Sequence, residues 1–185
     1  GVLKLYVIVI FKIHVRSFLC AKTAAVCTEC KSFRQQFFRL FKRRWYIIAY
    51  SEYSKGNRLF MLDRARSVEV LTDSFTMPEG FDAEEYFNDI YGVRQTDRSE
   101  MTKVVLKVNA NRCDLLRNLP LHPSQKEIET TPEYSIFKVE LKPNFDLKQE
   151  LISYLDALEV LEPVSLRDEL RMTIKSMYRK YIEPN

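Results

Sequence analysis

The alternation of strand-like and helix-like segments between residues 102 and 161 constrains the fold more than any other feature of the sequence. Strand patterns cover four segments, 102–108, 125–130, 134–142 and 157–161. Helical patterns cover 111–119 and 145–155, the second with apolar residues at the spacing of one helix face. The order β-α-β-β-α-β predicts an α+β chain that carries a ferredoxin-like module over residues 101–185.

A final helix is predicted after this module. Ser165 is its predicted N-cap, because a serine hydroxyl can accept a hydrogen bond from a backbone N–H of the first turn. The apolar residues that follow recur at helical spacing and are Leu166, Leu170, Ile174, Met177, Tyr178 and Tyr181. This stripe predicts either a core contact or a dimer contact.

The first part of the chain is rich in strand-forming residues. Trp45-Tyr46-Ile47-Ile48-Ala49 follows directly behind the basic residues Lys42-Arg43-Arg44. Residues 37–53 therefore predict a strand pair or one long bent strand. Ser54-Lys55-Gly56-Asn57 is a predicted hairpin turn, since glycine and asparagine adopt positive φ readily, and 58–70 is the predicted return strand.

Alternation along this predicted hairpin places cations near Tyr46. If the chain folds back about Gly56, Tyr46 lies opposite residues 65–67, and the arginines of the return strand share one face. Guanidinium groups match phosphate and carboxylate geometry, and aromatic rings stack on bases. The predicted ligand contacts are Tyr46, Arg58, Arg64 and Arg66, with Lys42 and Arg44 as steering charges.

Two neighbours of these residues receive other predictions. Trp45 alternates to the face opposite Tyr46, so we expect it in the core. Asp63 either orients an arginine or pairs across the hairpin. Short twisted strands of this kind favour a small β-barrel over residues 1–75.

Charge is divided unevenly along the chain. Residues 1–66 carry 14 Lys and Arg against 3 Asp and Glu, whereas residues 67–185 carry 15 against 22. This asymmetry indicates two modules, the first with an anionic partner, although a solvated basic face is the alternative.

A linker is predicted between the modules, over residues 76–100. Met77-Pro78-Glu79-Gly80 breaks the strand pattern. A short helix over 83–91 follows, with Asp82 and Glu85 as a capping box and Gly92 at its end.

The four cysteines permit three interpretations. Cys27 and Cys30 have the CxxC spacing of metal ligands, and His14 and Cys20 precede them. A second closely spaced pair, which a zinc site usually needs, is missing. Between zinc, a disulfide and free thiols, we predict free thiols, Cys113 included, with no metal and no cofactor.

The apolar run 2–11 predicts a buried strand. It is too short for a membrane span, which needs about 20 apolar residues, and Lys4 interrupts it. It also lacks the features of a signal peptide, so we expect a cytoplasmic protein without a membrane partner. Because the chain begins without methionine, we expect a fragment of a longer protein.

No pattern predicts catalysis. His14 and His122 are the only histidines, neither beside a plausible nucleophile, and the sequence has no glycine-rich phosphate loop. We therefore expect that the protein is not an enzyme.

Both modules carry motifs that resemble the WYL domain family. The similarity to the WYL domain rests on residues 44–50 (RWYIIAY), on Leu62-Asp63-Arg64-Ala65 and on the segment from Ser74-Phe75 to Phe87. Residues 102–181 resemble its C-terminal extension, notably at Val160-Leu161-Glu162-Pro163 and Ser165-Leu166-Arg167. Two departures are Ile47 in place of the family's Leu, and Gln35-Gln36 where a Pro-Tyr pair is common.

The resemblance, over residues 37–182, implies a small Sm-like or SH3-like barrel followed by a ferredoxin-like module. It also implies an upstream winged helix-turn-helix domain that binds DNA, with the WYL domain as effector sensor of a bacterial transcriptional regulator. Arg64, the strand-end arginine, is the contact that the resemblance supports most.

Two functions follow as hypotheses. The first is an effector-binding region that recognises a nucleotide, a short nucleic acid or another anion and biases the DNA-binding domain. The second is an accessory module that binds single-stranded nucleic acid directly. A dimerisation module is a third, weaker hypothesis, and a homodimer is expected for this architecture.

Overall fold

The computed structural model divides between Tyr86 and Phe87 into two compact units, the N-terminal unit (Leu3–Tyr86) and the C-terminal unit (Phe87–Asn185). The residues that it describes are 6–7, 13–19, 26–27, 33–51, 56–70, 83–95 and 100–183. Their side chains are described over 38–49, 56–64, 85–95 and 100–183. Together these residues form three antiparallel sheets and four α-helices, a mixed α and β fold.

The described residues of the N-terminal unit form seven strands in two sheets, ordered β1-β4-β5-β6 and β3-β2-β7. The strands are β1 (Tyr6–Val7), β2 (Ile13–Leu19), β3 (Val26–Cys27), β4 (Phe33–Phe41), β5 (Arg44–Ser51), β6 (Gly56–Met61) and β7 (Ala65–Val70). A 3₁₀ turn, Leu62–Arg64, separates β6 from β7.

Lys42 and Arg43 form the tight turn between β4 and β5. Of the two alternatives predicted for residues 37–53, the strand pair is therefore correct and the single bent strand is not. Both residues have positive φ, 46° and 66°. A two-residue hairpin turn with positive φ at both positions matches the twist of the flanking strands. Because lysine and arginine carry a Cβ atom, this conformation costs about 1–2 kcal/mol per residue relative to glycine.

The register of β5 against β6 differs from the predicted one. Tyr46 lies opposite Met61, and Ser51 opposite Gly56. The prediction that residues 65–67 lie opposite Tyr46 is wrong. Because β6 begins at Gly56, directly opposite Ser51, Met61 is the residue that lies opposite Tyr46. The return strand also ends at Met61, since β7 pairs with β2 in the other sheet.

The centre of β5 is buried on both sides. Ile47, Ile48 and Ala49 are at most 2% exposed, and consecutive strand residues point to opposite faces. Trp45 is half-buried and packs edge-to-face against Phe38, with ring centroids 6.3 Å apart. Both faces of the strand thus contribute to packing, not only the face that carries Trp45.

The other described elements begin with a short helix, α1, after which they follow the predicted order β-α-β-β-α-β and then a helix. They are α1 (Ala83–Phe87), β8 (Thr102–Asn109), α2 (Cys113–Asn118), β9 (Lys126–Thr130), β10 (Tyr134–Leu141), α3 (Phe145–Ser153), β11 (Leu158–Glu162) and α4 (Val164–Tyr181). The four strands β8–β11 form one antiparallel sheet in the order β11-β8-β10-β9.

One hydrophobic core lies between this sheet and its helices. Alternate residues of the two central strands are almost completely buried, as are residues of each packed helix. They include Val104, Leu106, Val108, Leu116, Phe137, Val139, Leu141, Leu147, Leu151, Leu166 and Leu170. Full burial of such side chains contributes about 1.5–3 kcal/mol each, so this core is the main source of stability in the unit.

Several predicted helix ends are wrong by a few residues. The helix α3 ends at Ser153 because Leu155 has φ 57° and begins a 3₁₀ turn. The helix α1 ends at Phe87, and the predicted cap Asp82 lies outside the described residues. A 3₁₀ turn, Ala110–Arg112, precedes α2.

The predicted cap of α4 is also wrong. Pro163 occupies the N-cap position, without a side-chain hydrogen bond, and the helix begins at Val164. Ser165 therefore lies inside the first turn. Of the apolar stripe, Leu166 and Leu170 are core residues, whereas Ile174, Tyr178 and Tyr181 are exposed.

A polar tether holds residues 91–94, part of the predicted linker, against the N-terminus of α3. The Asn144 side chain accepts a hydrogen bond from Leu147 N and donates to the carbonyl oxygens of Tyr91 and Arg94, at 2.8–2.9 Å. The Asp146 carboxylate accepts from the backbone N–H groups of Val93 and Arg94, each at 3.0 Å. Residues 87–95 thus belong to the C-terminal unit.

Cys113 is a buried free thiol. Its Sγ donates to the carbonyl oxygens of Val108 and Asn109. Cys20, Cys30 and the side chain of Cys27 lie outside the described residues, so the prediction for them stays a prediction. No helix within the described part of the chain has the length and apolar character that crossing a membrane requires.

Candidate anion-binding site

Four cations lie at one end of the β1-β4-β5-β6 sheet, and we call them the cationic end: Lys42, Arg43, Arg44 and Arg64. The first two form the β4–β5 turn, and Arg44 begins β5. Arg64 ends the 3₁₀ turn that follows β6. Lys42, Arg43 and Arg44 are exposed, and Arg64 is half-buried.

An ion pair links the two chain segments of the cationic end. Arg44 Nε lies 3.7 Å from Asp63 Oδ2, with both side chains about half exposed. An exposed pair at this distance contributes little stability, up to about 1 kcal/mol. It does place the 3₁₀ turn beside the start of β5, and it shows that Asp63 pairs with an arginine of the neighbouring strand.

Tyr46 lies two residues into the sheet from this end. Its register partners are Arg39 on β4 and Met61 on β6. Directly opposed residues share a face, with Cβ atoms about 5 Å apart, so Arg39 and Tyr46 are neighbours. Both side chains are half-buried.

Three of these groups are available for a ligand. Within the described residues, the side chains of Arg43, Tyr46 and Arg64 make no hydrogen bond and no ion pair. Lys42, by contrast, holds its Nζ 5.6 Å from the centre of the Phe41 ring. The cationic end therefore combines engaged cations with two arginines, Arg43 and Arg64, that make no hydrogen bond or ion pair among the described residues.

Arg58 and Arg66 are not brought to Tyr46 as the sequence predicted. Arg58 is opposite Ala49, three residue pairs away, and on the face of β5 that carries Trp45. The register difference reverses the predicted face, because a shift by an odd number of residues moves every side chain to the other side of the sheet. Arg66 lies on β7 in the other sheet, and its side chain is outside the described residues.

Sequence reasoning missed Arg39 and gave Arg43 no role of its own. Recognition of the turn at Lys42-Arg43 in the sequence would have identified both residues. With the turn at that position, pairing of the strands on either side of it places Arg39 opposite Tyr46. Neither residue of the turn is glycine, asparagine or aspartate, the usual signal for positive φ at both positions. The turn was therefore not recognisable from composition.

The match to a known protein family lies in the other unit. Residues 100–178 match the WCX domain. This is the C-terminal extension associated with WYL domains, and the matched segment contains β8–β11, α2, α3 and most of α4. The WCX match confirms the resemblance predicted for the C-terminal extension, and it does not include the cationic end.

Among solved structures, the chain is similar to proteasome accessory factor B/C (PafBC) of Arthrobacter aurescens, with 16% identity and a TM-score of 0.35. The similarity covers 95% of this chain and 26% of that chain, so the present chain spans about a quarter of the length of the PafBC chain. No curated protein matches the chain.

Proposed function

We propose that the chain is the effector-binding region of a WYL-type transcriptional regulator. In this proposal the N-terminal unit is the small Sm-like or SH3-like WYL barrel, and the C-terminal unit is the ferredoxin-like extension. The effector is an anion, such as a nucleotide or a short nucleic acid. It acts on a DNA-binding domain upstream of this chain by favouring one of its conformational states.

Two observations support the assignment of the units. Residues 100–178 match the WCX domain, which accompanies WYL domains. The strand order β11-β8-β10-β9 within a β-α-β-β-α-β chain is consistent with a ferredoxin-like sandwich.

The observation that carries the binding proposal is the set of unengaged groups at the cationic end. Arg43 and Arg64 make no ion pair among the described residues, and Tyr46 lies two residues into the sheet from Arg44. Guanidinium groups bind phosphate through two parallel hydrogen bonds. Arg64 and Tyr46 are the proposed direct contacts, with Lys42, Arg43 and Arg44 as neighbouring charges. Arg58 and Arg66 stay as candidates of lower rank.

The test is a titration of the chain with a fluorescein-labelled single-stranded oligonucleotide, competed by mononucleotides. Loss of a hydrogen bond to a charged group costs about 1.5–3 kcal/mol, so Arg64→Ala is expected to weaken binding by about 10-fold or more. Arg171→Ala, an exposed arginine of the C-terminal unit, is the matched control and is expected to leave binding unchanged. Equal affinity of Arg64→Ala and the wild-type chain would overturn the proposal.

A second candidate function is direct binding of single-stranded nucleic acid. Three consecutive cations at an exposed hairpin tip favour a ligand with several phosphates. Binding that grows with oligonucleotide length and falls steeply with salt would support this function. Saturable competition by a mononucleotide would support the effector site instead.

A homodimer is part of the proposal, as is usual for symmetric regulators. Light scattering on the chain measures its mass directly. A monomer at all concentrations would remove this part without affecting the ligand site.

A further inference from the structure

Only the first half of α4 packs against the C-terminal unit. Leu166 and Leu170 are core residues. In contrast, every residue from position 171 to 183 is exposed, and we call this segment the α4 tail. Helices in proteins are stabilised mainly by packing of an amphipathic face, so the tail has a surface that its own unit does not use.

The apolar residues of the α4 tail form one stripe. Ile174, Met177 and Tyr181 follow Leu170 at intervals of four, three and four residues, on the helix face that begins in the core. They are 56%, 42% and 82% exposed. Alternating intervals of three and four are those of a helix that packs against another helix. The stripe is therefore a surface for a helical partner.

The residues on both sides of the stripe are compatible with a second copy of α4 in antiparallel orientation. In that pairing Arg171 lies beside the partner's Tyr178, and Thr173 lies beside the partner's Lys180. The first pair permits a cation–π contact, and neither pair opposes two like charges. Arg171 retains its ion pair with Asp168, which lies within the same helix at 3.1 Å.

The other cations of the tail lie away from the stripe. Successive residues of a helix are rotated by about 100°, which places Lys175 and Arg179 on the side opposite Ile174 and Met177. They remain in solvent when two stripes meet. A polyanion bound by these cations would leave the stripe uncovered, so the arrangement favours a second copy over a nucleic acid.

The size of the stripe also suits a dimer. A tyrosine can bury about 150–250 Å², so Tyr178 and Tyr181 together with the aliphatic side chains offer several hundred Å² on each copy. Stable interfaces bury about 800 Å² per partner. The tail can thus supply a large part of such an interface.

We propose that the α4 tails of two copies pack antiparallel about a twofold axis and form the centre of a homodimer interface. This inference rests on the homodimer in the proposed function and names its surface. The arrangement is closed, because the same stripe is buried on both copies at once.

Sedimentation equilibrium of the chain tests the interface by measuring the dissociation constant of the dimer. Ile174→Glu places a carboxylate in the stripe of each copy, so symmetry places two in the interface. The dissociation constant is expected to rise by about 100-fold or more. Because Ile174 is exposed within its own unit, the circular dichroism spectrum should stay unchanged, which separates loss of the dimer from loss of the fold.

Ser176→Glu is the matched control. It adds the same charge to the same helix on the side away from the stripe, and the dissociation constant should stay unchanged. A dimer that Ile174→Glu leaves intact, or that both variants weaken equally, would overturn the inference and leave the homodimer standing. A wild-type chain that is monomeric at all concentrations would overturn both and would leave the stripe to a different protein.

A cross-link tests the orientation. In the double variant Thr173→Cys, Lys180→Cys, oxidation should join two copies through a disulfide, seen as a dimer on a denaturing gel and absent from the oxidised wild-type chain. Thr173→Cys alone is the control and should form no such dimer. Absence of the link in the double variant would contradict the antiparallel pairing.

Discussion

Arg117 in the C-terminal unit and two arginines of the cationic end differ in whether they are paired. In the C-terminal unit, Arg117 binds Glu127 through two hydrogen bonds, 2.6 and 3.0 Å long, and also binds Asp114. At the cationic end of the N-terminal unit, Arg43 and Arg64 have no such partner among the described residues. Charges that are already paired add modestly to stability, whereas unengaged guanidinium groups can bind a ligand at no cost in lost pairs.

The C-terminal unit is stabilised by contacts among its own residues, whereas the cationic end has side chains that can bind a ligand. The C-terminal core and tether involve residues far apart in sequence, such as Asn144 and Tyr91. The cationic end instead retains a turn with two non-glycine residues at positive φ. Residues in such conformations often occur at functional sites. Four experiments test whether this division is real.

The largest effect is expected in the core. Leu141 is 0% exposed, so Leu141→Ala should lower the free energy of unfolding by about 2–5 kcal/mol. Arg64→Ala should change it by less than about 0.5 kcal/mol, because this half-buried side chain makes no hydrogen bond or ion pair among the described residues. Urea denaturation monitored by circular dichroism measures both. A large loss of stability in Arg64→Ala would mean that the cationic end is structural.

The tether at α3 is expected to give the second largest effect. Asn144→Ala removes an N-cap and two further hydrogen bonds of a side chain that is 4% exposed, at a cost of about 1–3 kcal/mol. Asn118→Ala, at an exposed position at the end of α2, is the control. Equal stability of the two variants would show that residues 91–94 do not depend on the tether.

The β4–β5 turn should respond in the opposite direction. Replacing Lys42-Arg43 by Asn-Gly relieves the cost of positive φ, so the variant should gain about 1–2 kcal/mol of stability. In the same variant, oligonucleotide affinity should fall because two cations are lost. A variant that gains stability and keeps full affinity would show that the turn takes no part in binding.

The smallest effect is a pH dependence at Glu127. Hydrogen bonds from Arg117 and then from the Ser135 hydroxyl lower the pKa of this carboxyl from 4.5 to about 2. Because the pKa is lower in the folded state, the stabilisation is present above about pH 4.5 and is lost as the pH falls toward 2. In Glu127→Gln, the melting temperature should therefore depend less on pH over this range than in the wild-type chain.

Glu133→Gln, at an exposed position in the turn before β10, is the control for this measurement. It should retain the wild-type acid dependence. Identical profiles of the wild-type chain and Glu127→Gln would contradict the assigned role of the Arg117 pair.

Most elements of the C-terminal unit could be predicted from the sequence. The apolar residues of β8 and β10 and of α3 recur at the periods of a strand and a helix, and each element appears within a few residues of its expected place. The helix ends were less predictable, because Leu155 at positive φ and Pro163 at the N-cap reflect local geometry and not periodicity.

The candidate site was predictable only in part. The residue types that can bind an anion, and their concentration in the first 66 residues, are properties of the sequence. Which of them meet depends on strand register. The β5–β6 pairing places Arg58 on the face opposite Tyr46, and the β4–β5 pairing brings Arg39 beside Tyr46. The turn at Lys42-Arg43 carries none of the residues that usually signal such a turn.

The sequence by itself determined the order of elements in the C-terminal unit, its resemblance to the extension of WYL domains and the basic character of the N-terminal unit. These follow from local periodicity, motifs and composition. The tertiary structure alone decided the partners of Tyr46, the position of Asp63 beside Arg44 and the exposure of the α4 tail. The physical reason is that strand register and helix packing depend on contacts between residues distant in the chain, and a register shift by an odd number of residues exchanges the two faces of a strand.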